Sequence, residues 1–550
     1  MEPRRTLAIF LDGYEESLER RFTKDGLLPN LGRLRQRSAR FLLDHGPAQR
    51  TGLAGEHVST GLSPADAHRW SAVDFDPATY ALWQEGTRRA PFARLLTART
   101  VVFDTPYFDL DQAPHVQGIV NWGAHDPGVP PGARPGGLLD ELVRRIGVYP
   151  AQPWLYGIVW ASAERTKRMG EDLAQACEVR GRAVAWLLGE RLPDWELALV
   201  TVSEPHSAIE GLWHGVDPLH PLHALPSAGP AREGLVAVYR AVDGLVGLLG
   251  EAFPDANLVV FSTGGMGPNR SDVQSMLLLP ELAYRHAFGR PLFRPPDEWA
   301  HASAMGPMLG EAEPWHRAVL DHFPGSSRRR GLSRLAHERL PGWIRRGARR
   351  ASAALAPPRT PAGRAPASRL RLALDWMPAM RYQPYWSRMP FFALPSFYDG
   401  RVRVNLEGRE RDGVVASAQY RAVCDQIEGL VRACRDPVTG EDAVNFVERT
   451  GEPDPHALEP SASDLVVVWK GSHCVLEHPT HGRVGPAPFR RPGGHTGPHG
   501  MAYVQAGGVA PGDYGVRSSF DVVPTLCALV GDPVPTGLSG RCLLTGAVLS

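Results

Sequence analysis

The sequence predicts an α/β protein built on a mostly parallel central sheet. Three observations carry this. Short, predominantly apolar runs, at residues 6–13, 195–202 and 257–262, have the length and composition of buried strands. They alternate with longer amphipathic stretches, Arg165 to Arg191 and Gly234 to Leu249, as helices do in a parallel sheet. The first run ends on Asp12-Gly13, which puts a carboxylate at the carboxyl edge of the sheet, where open α/β folds bind ligands.

Taken in order, residues 6–13 form the first core strand. Leu28, Leu31 and Leu34 share one face of a helix over 28–40. Thr51 starts a loop that enters a helix by Thr60, so its hydroxyl sits near orphan backbone N–H groups that favour an anion. Arg69–Asp76 and Val101–Asp104 read as strand ends, and Tyr80, Trp83 and Gln84 between them read as core more than as pocket wall. After the strand at 195–202 comes the densest group of histidines and acids in the chain, including Glu204, His206, Glu210, His214, Asp217 and His220. His206 and Glu210 are four residues apart and face one way on a helical turn. Residues 326–369 are rich in Arg, Pro and Ala, the pattern of a solvated helical insertion with mobile ends, with a basic lid over an anionic substrate as the other reading. The alternation resumes with a strand and turn in 393–411, a helix over 416–435, strands at 464–470 and 502–505, and a helix over 520–529.

Composition narrows the function classes. The chain has 550 residues, 43% apolar and 22% charged, with a formal charge of +1, so no nucleic-acid partner is expected. None of its six cysteines forms a CxxC pair, and they read as scattered thiols of a reducing compartment. No apolar run reaches eighteen residues and the amino terminus lacks a signal-peptide core. The expectation is a cytoplasmic protein with no membrane span; the oligomeric state is open.

The motifs, in this order, resemble the alkaline phosphatase superfamily in its type I phosphodiesterase/nucleotide pyrophosphatase branch. Asp12-Gly13 is similar to the amino-terminal metal ligand, and Thr51, nine residues before Thr60-Gly61, to the nucleophile. His206 and Glu210 hold the positions of an acid-or-His and a His that ligate metal, and Gly493-Gly494-His495 is similar to the last ligand loop, with His499 nearby. The helix from Phe520 and Gly540-Arg541-Cys542-Leu543 match the closing elements. Three positions depart: Thr263 and Gly264 stand where the family has a metal-binding Asp-His pair, and Glu210 stands where it has His.

The resemblance implies an alkaline-phosphatase-like three-layer sandwich, with residues 1–284 and 391–550 forming one catalytic domain around an insertion at 285–390. It implies a hydrolase of phosphodiester, pyrophosphate or related phosphate ester bonds, acting on a small phosphate ester or nucleotide-like substrate. Thr51 would be the nucleophile. Asp12, Thr51, His206, Glu210 and His495 would hold one or two divalent ions, zinc or manganese. Glu204, His214, Asp217, His220 and His499 would support the site; Glu56 and His57 read either as supporting groups or as a solvated pair. The alternative is an altered or catalytically degenerate member that binds an anionic ligand or partner, motivated by Thr263 and Gly264.

Overall fold

Within the first strand, β1 (Thr6–Leu11), side chains divide between two cores. Leu7, Ile9 and Leu11 enter one, Ala8 and Phe10 the other. A strand buried on both faces is the signature of a sheet sandwiched between helical layers. Burial of each large side chain contributes about 1.5–3 kcal/mol. The computed structural model describes residues 5–156, 162–300, 306–309, 314–324, 371–451 and 453–544. The Arg-rich stretch at 326–369 lies outside them.

Eight further strands complete the sheet: β2 (Ala39–Asp44), β3 (Thr100–Phe103), β4 (Gln117–Val120), β5 (Gly132–Arg134), β6 (Leu197–Val202), β7 (Asn257–Ser262), β8 (Gly500–Gln505) and β9 (Gly512–Ser518). Their order is β9-β2-β8-β7-β1-β6-β3-β4-β5. β1 lies parallel to β6 and β7, with Thr6 opposite Leu197 and Asn257. Only β5 and β8 run against the rest.

On one face lie α3 (Ala163–Trp186), α4 (Glu204–Leu212) and α5 (Ala228–Ala252). Ser162 caps α3, its hydroxyl accepting from the Arg165 N–H. α3 and α5 cross at Gly170 and Gly234: a Cβ on Gly170 would fall 2.3 Å from the Gly234 Cα, so only glycine permits the contact. The other face carries α2 (Ala54–Thr60) and α6 (Val522–Leu529), through Val58, Val522 and Leu526. α1 (Pro29–Arg37) buries Leu31 and Leu34 against the first face.

Two readings of the sequence are corrected here. Residues 39–40, taken as the end of the helix over 28–40, open β2, and the strands at 400–404 and 465–469 do not rejoin the central sheet. They pair antiparallel in a four-stranded sheet with 391–394 and 444–449. That sheet has its own core, built largely from residues 273–323 and 374–487. Tyr80 belongs to it, ring-to-edge on Phe75 at 5.8 Å. Among the described residues no helix is long and apolar enough to cross a membrane, and none of the six cysteines forms a disulfide.

Candidate metal centre

The carboxyl ends of β1, β4 and β6 deliver three side chains to one point. Asp12 follows β1 directly and is buried; its Oδ2 lies 3.0 Å from His206 Nδ1. His206 sits in the first turn of α4, immediately after β6. Gly13 makes the approach possible. Its φ is +61°, and a Cβ there would meet the His206 Cβ at 2.6 Å. His125, in the loop after β4, stacks on His206 with ring centres 3.8 Å apart. Asp12, His125 and His206 each offer a ligand atom within 4.8 Å of the others.

His495 completes the group from the strand 493–497, which pairs antiparallel with 265–268, its Nε2 2.9 Å from His206 Nε2. The protons can be assigned from the fields. Burial disfavours a charged His206, but Asp12 and Glu210 overcome it and push the imidazolium up to about 10. Burial and the neighbouring His206 hold His495 down to about 3, so it is the neutral acceptor of that bond. Asp12, despite its burial, is held below the usual carboxylate range by the histidines around it.

Glu210 lies one turn along α4, 3.6 Å from His206 Nε2 and 3.5 Å from His125 Nε2. It is committed to Arg491, whose guanidinium also binds Asp272 at 2.8 Å and 3.2 Å. That cation, with the two histidines, keeps Glu210 ionised against the penalty of burial.

The expected nucleophile is placed differently. Thr51 Oγ1 donates to Ala48 O at 2.8 Å and accepts from the Leu53 N–H at 3.2 Å. Its side chain lines a second cavity, while Gln49 and Gly52–Gly55 on either side line the cleft above Asp12. Thr263 and Gly264 also line that cleft. The Gln49 amide fills the space beside Gly264, donating to Gly265 O at 3.0 Å and Gly497 O at 2.8 Å.

Other candidate residues have local partners. Glu56 is ion-paired with buried Arg69, and His57 hydrogen-bonds His45 at 3.0 Å, so the pair is buried and not solvated. Glu204 accepts both its bonds from Arg180 at 3.0 Å. His214 bonds Ser227 Oγ at 3.1 Å, Asp217 accepts from Trp213 Nε1 at 3.1 Å, and His220 packs on Phe489. None of these three lines the cleft, nor does half-buried His499.

His125 is the residue that sequence reasoning missed. It follows β4 in Gly123-Ala124-His125-Asp126, a strand end followed by an acid, the same signal that singled out Asp12. Both its ring nitrogens are buried without a hydrogen-bond partner. Such orphaned donors beside a carboxylate and a second imidazole fit a divalent cation, zinc above all. The cleft, about 30 Å³, has room for an ion or a water or two at its floor.

No protein-family model and no curated protein matches this sequence. Among solved structures, phosphonoacetate hydrolase from Sinorhizobium meliloti 1021, in complex with phosphonoacetate, is similar at 14% identity and TM-score 0.49, over 96% of this chain and 95% of that one. Murine ectonucleotide pyrophosphatase/phosphodiesterase 5 is similar at 12% identity and TM-score 0.45, over 100% of both chains. The human form is similar at 10% identity and TM-score 0.43, over 97% of this chain and 96% of that one.

Proposed function

We propose that this protein is a divalent-metal-dependent hydrolase of small phosphate or related phosphorus esters. The observation that carries the reading is the convergence of Asp12, His125, His206 and His495 at the carboxyl edge of the sheet. Asp12, His125 and His206 would hold the ion, with His495 beside them; when bound it supplies a Lewis acid that polarises a phosphoryl oxygen. Glu210, fixed by Arg491, orients His125 and His206 from behind. Tyr398 lines the cleft, edge-on to His495 at 4.9 Å. Burial holds its hydroxyl well above the usual phenol range, so it remains a proton donor toward a substrate oxygen. Thr51 is the candidate nucleophile, and its attack requires release of the bond to Ala48 O and a turn of its side chain from the second cavity into the cleft above Asp12.

A second reading is an anion-binding protein of the same fold without turnover. The bonded Thr51 hydroxyl favours it, as does the Gln49 amide beside Thr263 and Gly264. Metal content, together with hydrolysis of bis(4-nitrophenyl) phosphate by the parent, Thr51→Ala and His206→Ala proteins, separates the two. The first reading expects a tightly held zinc or manganese ion, and turnover abolished by chelation and by either substitution. Bound metal without turnover of that ester or of a panel of nucleotide sugars selects the second. A protein that holds no divalent ion overturns the metal assignment.

A further inference from the structure

We propose that the cleft above Asp12 takes a zwitterionic phosphorus ester whose alkylammonium arm seats on Asp126. The proposal rests on the metal-dependent reading of that cleft and names its substrate class.

The charges that line the cleft carry the inference. Among the described residues they are the imidazoles of His45, His125, His206 and His495 and the carboxylates of Asp12 and Asp126, with no Lys or Arg. The nearby guanidinium groups are committed, Arg491 to Glu210 and Asp272, Arg490 to Asp272. With a divalent ion beside Asp12, a single positive charge remains, and one ester anion cancels it. Asp126 is then the carboxylate left over. Among the described residues no Lys or Arg pairs with it, and its ionic neighbour is His125 Nδ1 at 3.5 Å. That is too long for a good hydrogen bond, and neither nitrogen of the His125 ring has a hydrogen-bond partner. A histidine that ligates an ion is neutral, so His125 does not answer Asp126 in the loaded protein. A phosphate dianion or a polyphosphate would add negative charge to a largely buried cleft, whereas an ammonium on the ester restores neutrality.

The placement of Asp126 suits that arm. Its side chain is 32% exposed against 8% for Asp12, so Asp126 stands at the mouth and Asp12 at the floor. Its φ of +45° is a left-handed conformation that Asp tolerates. Tyr156, 48% exposed, is edge-on to His125 at 5.0 Å. The Asp126 carboxylate, ahead of burial, holds the Tyr156 hydroxyl above the usual phenol range, as befits neighbouring side chains. Tyr107 and Tyr398 line the cleft, and the field of Asp126 adds to the upward push of burial on both hydroxyls. A carboxylate among phenol rings offers an alkylammonium a counter-charge and aromatic surface.

The test loads the full chain with zinc and compares 2-aminoethyl methyl phosphate with propyl methyl phosphate by calorimetry; the second has the same shape without the ammonium charge. The aminoethyl ester should bind at least ~10-fold more tightly. Asp126→Asn should erase that preference while zinc affinity falls by less than ~10-fold, the least that loss of an outer partner of a metal-bound histidine typically costs. Equal binding of the two esters by the parent, or no binding of either, overturns the proposal, as does a preference that survives Asp126→Asn. A larger loss of zinc affinity in Asp126→Asn assigns the carboxylate to orienting His125 and overturns it as well. Turnover is read separately with 4-nitrophenyl 2-aminoethyl phosphate: no turnover by a protein that shows the binding preference sinks the hydrolase reading and leaves the ammonium seat standing.

Discussion

Replacement of Arg180 by methionine should destabilise the protein and loosen the proposed metal centre together. Arg180 is fully buried and binds two fully buried carboxylates. Nε meets both Glu204 oxygens at 3.0 Å, Nη1 meets Asp104 at 2.6 Å, and Nη2 donates to Gly123 O at 2.9 Å. Asp104 also accepts from the N–H groups of Trp122 and Gly123, at 2.7 Å and 2.8 Å, and so keeps two partners in the variant. Glu204 keeps none of the bonds it makes here. A charge stranded by removal of its partner costs about 3–5 kcal/mol, set against a typical total of about 5–15 kcal/mol. Arg180 ties the 121–126 loop, which carries His125, to the β6–α4 junction, which carries His206. Loss of such outer support typically weakens metal binding ~10–100-fold. Urea titration and zinc calorimetry measure the two effects. Arg180→Met combined with Glu204→Gln should recover part of the lost stability by removing the stranded charge. An Arg180→Met protein that unfolds within about 1 kcal/mol of the parent refutes the reasoning, since no surface residue makes that prediction.

Three further outcomes are expected. Gly13→Ala, at φ +61° and with its Cβ 2.7 Å from the His206 Cα, should displace His206 and cost at least ~10-fold in zinc affinity by calorimetry, whereas Gly26→Ala, at φ +75° with open space around it, should leave affinity unchanged. Glu19 is buried and pushed up to about 8, so it stays protonated in the fold while the unfolded chain ionises near the ordinary value of 4.5; its contribution is present below that value and is lost as pH rises towards 8. Glu19→Gln should flatten the fall in melting temperature between pH 5 and pH 8, and an unchanged slope counts against the assignment. Zinc at a hundredfold excess over its dissociation constant should stabilise the parent by about 2.7 kcal/mol and do nothing for His206→Ala or His125→Ala; equal stabilisation of the variants by thermal shift places the ion elsewhere.

What the sequence revealed was local. β1 and its terminal Asp12, the His206–Glu210 turn and the His495 loop each announce themselves within ten residues, and the structure brings them together. β2 did not, because Arg35 to Arg40 is as polar as a helix surface and its strand character comes from pairing with β8 and β9, more than 450 positions away. β9 is exposed along most of its length and is a strand only by virtue of that edge. The run at 465–469 is apolar enough for either sheet, and composition cannot say which. The bond from Arg491 to Glu210 spans 281 residues, so no motif centred on either could have disclosed that the carboxylate is already engaged.

The charge balance of the cleft argues for one ion in preference to two in the proposed reading. Four carboxylates, buried Asp12, Glu210 and Asp272 and half-buried Asp126, surround it, answered by the guanidinium groups of Arg490 and Arg491. The remaining two negative charges are met by His206 and His125, both shifted towards the protonated form by those acids in spite of burial. One divalent cation taken in exchange for these two ring protons leaves the total unchanged; a second would add two uncompensated charges to a largely buried site, a large penalty. The replacements at the other end of the cleft agree. Thr263 and Gly264 supply no carboxylate or imidazole, and Gln49, bonded to two backbone carbonyls, occupies the space next to them. Glu210 in place of a histidine is then no isolated oddity: paired with Arg491, it serves as the fixed anion that holds His125 and His206 for a single ion.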